Sequence, residues 1–151
     1  VSLFLLAVVL PASATKLLIP MDGSQRNHLK AYGIAFWTLG RDATVEWLLN
    51  YRGGSFLIDH YKEVEQECTI RGVSFQIIAD AQAATILAEI GDPEANMDVV
   101  KLEKAPKIAV YAPEGFQPWD DAVALVMTYA EIPYERIYDQ QIISGALSTY
   151  D

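Results

Sequence analysis

The chain has 151 residues, 52% of them apolar and 21% charged, with a formal net charge of -9 and a single cysteine. That length bounds it to one ordinary domain or two small halves. The negative balance opposes a phosphate backbone and anionic membrane faces, which excludes nucleic acid as a partner, and one cysteine excludes an internal disulfide or a cysteine-based zinc site.

The first segment reads VSLFLLAVVLPASATK. An apolar core followed by Ala12-Ser13-Ala14 has the form of a secretory signal peptide. The run is shorter than the roughly 20 apolar residues a membrane span needs, so no stable span is expected. Residues 1–14 therefore read as a partial signal peptide, with the mature protein starting near Thr15 and exported to a periplasmic or extracellular location.

TKLLIPM, residues 15–21, is a short apolar run before the turn cluster Asp22-Gly23-Ser24 and reads as a buried strand. Leu29, Tyr32, Phe36 and Leu39 recur at helical spacing within residues 25–39, and Gly40 stops that helix. Residues 44–51 alternate at Val45, Trp47 and Leu49 and read as the second strand. Arg52-Gly53-Gly54-Ser55 breaks the pattern. The next helix is expected over residues 58–72, a third strand over 73–78, and an Ala-rich helix over 81–90 behind Asp80. Residues 91–106 are polar, hold two prolines and read as a linker. The pattern restarts with a strand at 107–113, a helix at 119–132 and a strand at 134–139.

Strands alternating with helices predict an α/β fold of Rossmann or flavodoxin type, with three layers and a mostly parallel sheet. The domain reading is a first α/β module over 15–90, the linker over 91–106, and the truncated start of a second module over 107–151.

Ligands of open parallel sheets bind beyond the carboxyl ends of the strands. That rule gathers Asp22, Asn27, His28, Arg52, Gly53, Gly54 and Asp80 into one candidate rim for a small-molecule ligand. Two glycines let backbone N–H groups approach a ligand, and arginine adds a fork of donors suited to a carboxylate or phosphate. The competing reading makes Gly53-Gly54 a plain turn out of the sheet. Cys68 sits late in its helix, facing with Tyr61 and Val64, where a structural thiol is expected rather than a nucleophile. Two separated histidines give no metal site, and no cofactor motif is present.

IPMDGSQRNHLKAYGIAFW, WLLNYRGGSF, EQECTIRGVSFQIIADAQ, NMDVVKLEKAPKIAVYAP and QPWDDAVALVMTYAEIPY together resemble exported bacterial proteins of the asparagine synthetase B-like family. The resemblance covers nearly the whole chain and implies an N-terminal fragment of a longer protein. Residues 107–137 look like the first βαβ unit of a class I glutamine amidotransferase-like domain. The resemblance implies action on an amide or similar small polar substrate, with the rest of the protein's own chain after Asp151 as partner and the nucleophile lying there. It transfers no catalytic residue to the present chain, which is expected to be inactive alone. The alternative is a non-catalytic secreted module binding a small anionic ligand or a glycan at the strand-end loops.

Overall fold

The computed structural model describes residues 15–113, 115 and 117–151; the signal-peptide reading of residues 1–14 lies outside them. The first unit runs β1 (Thr15–Ile19), α1 (His28–Leu39), β2 (Val45–Leu49), β3 (Ser55–Asp59), α2 (Lys62–Ile70), β4 (Gln76–Ala79), α3 (Asp80–Ile90) and β5 (Asp98–Leu102). Its five strands form one sheet in the order β4-β1-β3-β2-β5. All four pairings are antiparallel.

This corrects the expected parallel, Rossmann-like sheet. The difference lies in β3. Residues 55–59 follow the Arg-Gly-Gly break immediately and return along β2 as a hairpin, with Trp47 opposite Phe56 and Leu48 opposite Ser55. β3 then lies between β1 and β2, and β1 in turn lies between β3 and β4. The first six elements thus make two interlocked split β-α-β units, the β-α-β-β-α-β connectivity called ferredoxin-like. The stretch read as a linker carries β5, which adds to the free side of β2 with Val45 opposite Leu102 and Leu49 opposite Asp98.

The apolar runs misled for a physical reason. Continuous apolar strands usually mean a parallel sheet covered on both faces. Here an antiparallel sheet is covered on both faces too. Leu17, Ile19, Val45, Phe56 and Ile58 point to one side, where they meet Ala31, Ile34 and Ala35 of α1 and Val64 and Cys68 of α2. Leu18, Leu48, Leu57 and Ile78 point to the other, under Ala83, Ile86 and Ile90 of α3. Each such aliphatic side chain contributes roughly 1.5–3 kcal/mol on burial.

The second unit comprises β6 (Ala109–Tyr111), α4 (Ala122–Ala130), β7 (Glu135–Ile137) and α5 (Asp139–Ile143). β6 and β7 form a separate two-stranded parallel sheet, with Val110 opposite Arg136. Its buried apolar residues are few and mostly small: Val110, Ala112, Ala124, Ala130 and Ile137.

The two units meet where the end of α4 lies on α1. A Cβ on Gly33 would fall 1.8 Å from the Ala130 carbonyl oxygen, so only glycine allows this approach. Around that point Asn27 Nδ2 donates to the Tyr129 hydroxyl at 2.7 Å. The Glu131 carboxylate pairs with Lys30 and, at 3.2 Å, with Arg71 Nε. The hydrogen bond from Lys30 and the nearby Arg71 charge hold the Glu131 carboxyl below its ordinary pKa. Two cations thereby gather at the C-terminus of α4, where the helix dipole favours positive charge.

Candidate functional site

The rim beyond the end of β1 is built from three loops. The β1–α1 loop supplies Asp22 to Asn27, the hairpin between β2 and β3 supplies Tyr51 to Gly54, and the approach to β4 supplies Ser74 and Gln76. Asn50, Arg52, Gly53 and Gly54 all have left-handed φ, at 61°, 47°, 83° and 94°. This short coil reverses the chain, and Gly54 N–H closes it on the Tyr51 carbonyl at 3.0 Å. At Gly53 the backbone passes so near β1 that a Cβ would sit 2.5 Å from the Met21 carbonyl oxygen.

Arg52 ties this hairpin to the neighbouring loop. Its Nε donates to Asp22 Oδ2 at 2.6 Å, its Nη2 to Ser24 Oγ at 3.1 Å, and its Nη1 makes a longer contact of 3.5 Å with Gln76 Oε1. Its carbonyl accepts from Met21 N–H at 3.1 Å. The other carboxylate oxygen of Asp22 accepts from the Ser24 backbone N–H at 3.0 Å and from Ser24 Oγ at 2.5 Å. The Arg52 guanidinium first, and Ser24 after it, hold the Asp22 carboxyl far below the usual carboxylate range. A carboxylate or phosphate guest would need the same guanidinium edges that Asp22 and Ser24 occupy.

A second tie is buried. Gln25, 6% exposed, donates from Nε2 to the carbonyls of Pro20 and Ser74 at 2.8 and 3.1 Å. Its Oε1 accepts from Ser74 N–H at 2.8 Å and from Asn27 N–H at 3.3 Å. Both donors of the amide are used, and so are the lone pairs of its oxygen.

His28 lies beside this rim, with Nε2 at 3.1 and 3.2 Å from the carbonyl oxygens of Met21 and Asp22. A carbonyl only accepts, so Nε2 carries the proton and is spent on holding the loop. Asn27 caps α1 by accepting from Lys30 N–H at 3.1 Å and turns its amide toward Tyr129. Asp80 stands apart. Ala79, the residue before it, pairs with Thr15 at the start of β1, whereas Asp22 lies past the end of that strand. The expectation that the Asp22, Arg52 and Asp80 corners share a rim is corrected here, because antiparallel β4 delivers its C-terminal end to the opposite edge of the sheet.

Of the predicted residues, the structure brings together Asp22, His28, Arg52, Gly53 and Gly54. Sequence reasoning missed Ser24, Gln25, Ser74 and Gln76. The signal for Ser24 was available, because Asp-Gly-Ser is an Asx-turn sequence. Gln25 carried no such signal: the bonds that tie it to a second loop go to the Ser74 backbone, 49 residues away in the chain.

Cys68 is fully buried, and burial pushes its thiol up to about 12. It is no nucleophile near neutral pH, since the thiolate is the reactive form. Among the described residues no group of three or more His, Cys, Asp and Glu could hold a metal ion. Among them, too, no helix is long and apolar enough to cross a membrane. No family model, no curated protein and no solved structure matches the chain.

Proposed function

We propose that the antiparallel unit is a non-catalytic N-terminal module of an exported asparagine synthetase B-like protein, and that β6–α4–β7 opens an amidotransferase-like parallel layer. The observation that carries this reading is the incompleteness of the second unit. Parallel strands are stable where both faces are covered, and a lone pair of strands is marginal. Around β6 and β7, Tyr111, Trp119, Val123, Leu125, Val126 and Tyr129 stay exposed. Further parallel strands from the rest of the protein's own chain would bury them.

The first unit supports a scaffolding role in the same reading. Its only thiol is inert, and the polar groups of its loop rim are turned on one another. Export belongs to the same proposal and rests on the reading of residues 1–14 as a partial signal peptide.

The test is ammonia release from glutamine and asparagine. The chain alone should release none, and activity should appear only when an amidotransferase-like remainder carrying a Gly-x-Cys elbow is joined after Asp151. Turnover by the chain alone that vanishes in Cys68→Ala would refute the reading.

A further inference from the structure

The polar groups at the other end of the first unit contrast with the satisfied loop rim. Between the end of α1 and the start of α2 lies an open cleft of about 280 Å³, lined by Trp37, Arg41, Asp42, Tyr61, Glu63 and Val64 among others. Its floor is largely apolar and its edge is charged with both signs. The Arg41 guanidinium lies over the Trp37 ring, 3.4 Å from the centroid, and donates from Nη1 to the Trp37 carbonyl at 3.4 Å. That contact fixes the arginine on the wall. Asp42 and Glu63 have no ion-pair partner among the described residues. Tyr61 is 44% exposed, and as N-cap of α2 its side chain makes no capping hydrogen bond.

These features select a class of ligand by elimination. A purely anionic guest is opposed by the carboxylates of Asp42 and Glu63. Arg41 offsets one of those two negative charges, and all three side chains are exposed, so solvent screening leaves little net attraction for a cation. Guanidinium only donates, an ionised carboxylate only accepts, and a hydroxyl does both. The edge therefore suits a neutral molecule with several hydroxyl groups, while the aromatic and aliphatic lining suits one with an apolar face. Ligand sites of this mixed kind, mostly apolar with a few placed polar groups, are the general rule.

We propose that the Trp37–Tyr61 cleft binds a neutral saccharide residue, a pyranose with its C–H face toward the exposed Tyr61 ring and its hydroxyls shared between Arg41, Asp42 and Glu63. The site is separate from the second unit, so it stands or falls independently of the amidotransferase-like reading.

The experiment is an NMR titration of the purified chain, following the indole N–H of Trp37 and the backbone amides of Arg41, Asp42 and Glu63. The probes are D-glucose and N-acetyl-D-glucosamine as neutral hexoses, with glucuronate and glucosamine as charged analogues of the same shape. Neutral hexoses should shift these signals saturably in the millimolar range, and both charged analogues should bind more weakly. Tyr61→Ala and, as a variant that removes charge without volume, Glu63→Gln should each weaken binding, the first by about tenfold. The amide spectrum away from the cleft should be retained in both. No saturable shift with either neutral hexose, or tighter binding of a charged analogue, overturns the proposal.

Discussion

The two units of this chain are held in different ways. The five-stranded unit buries both faces of its sheet. Leu17, Ile19, Leu48, Leu57 and Ile58 are at most 1% exposed, and helices cover them on either side. The β6–α4–β7 unit has one short parallel pair and leaves Trp119 69% and Val123 52% exposed. Its position depends on the α4–α1 junction at Gly33, Glu131 and Tyr129. The difference teaches that stability here resides in the antiparallel sheet, while the second unit is positioned by docking.

The comparison breaks most sharply in the sheet core. Leu57→Ala removes a side chain sealed beneath α3 and should cost about 2–5 kcal/mol. Chemical denaturation followed by far-UV circular dichroism should show a large fall in the midpoint. An effect no larger than that of an exposed substitution would remove the sheet from its role.

The next effect is at the junction. Gly33→Ala places a methyl where the Ala130 carbonyl sits, so α4 must move off α1. Overpacking of this kind costs typically 1–3 kcal/mol, and the second unit should take most of it. Limited proteolysis should cut residues 107–151 about fivefold faster or more, with the sheet fragment remaining resistant. Equal sensitisation of both units would deny the division.

Gly53→Ala probes the hairpin. The new side chain meets both a left-handed φ of 83° and the Met21 carbonyl, and about 2 kcal/mol of destabilisation is expected. Thermal melts compared with Gly23→Ala, where a Cβ meets nothing within 4 Å, isolate the conformational cost from a general loss of glycine.

The smallest effect belongs to Arg52→Ala, and its pH dependence identifies it. Asp22 has a folded pKa depressed below the ordinary 3.8. A depressed carboxylate contributes stability that is fully present above its unfolded value and is lost as pH falls through the folded one. The gap in melting temperature between wild type and Arg52→Ala should be constant near neutral pH and narrow as pH falls below about 4. A gap that persists unchanged into acid would mean that Arg52 acts through packing alone.

Much of the secondary structure was legible from the sequence. Helical spacing located α1, the Ala-rich run behind Asp80 located α3, and the restart at Lys107 located β6, α4 and β7. The fold was lost at two places. Ser55–Asp59 is only five residues long, with four buried, and a short apolar run bears no mark of direction. Two apolar runs separated by a few residues that include glycine do signal a hairpin, and reading Gly53-Gly54 in that way would have reversed β3 and made the pairing antiparallel. β5 was hidden because it is an edge strand whose Asp98 and Lys101 face solvent, a composition that guards an edge against further pairing. Once β3 was missed, the position of Asp80 followed wrongly, since the end of a strand depends on its direction. The carboxylate on Arg52 was legible in kind only: the one that fills the fork is the protein's own Asp22.

Native-state hydrogen exchange of the wild-type chain tests the division most directly. Amides of β1 and β3 should exchange only through global unfolding, and those of β6, β7 and α4 through a separate, lower-energy opening that leaves the sheet protected. A single protection class shared by both units, with one common dependence on denaturant, would contradict it.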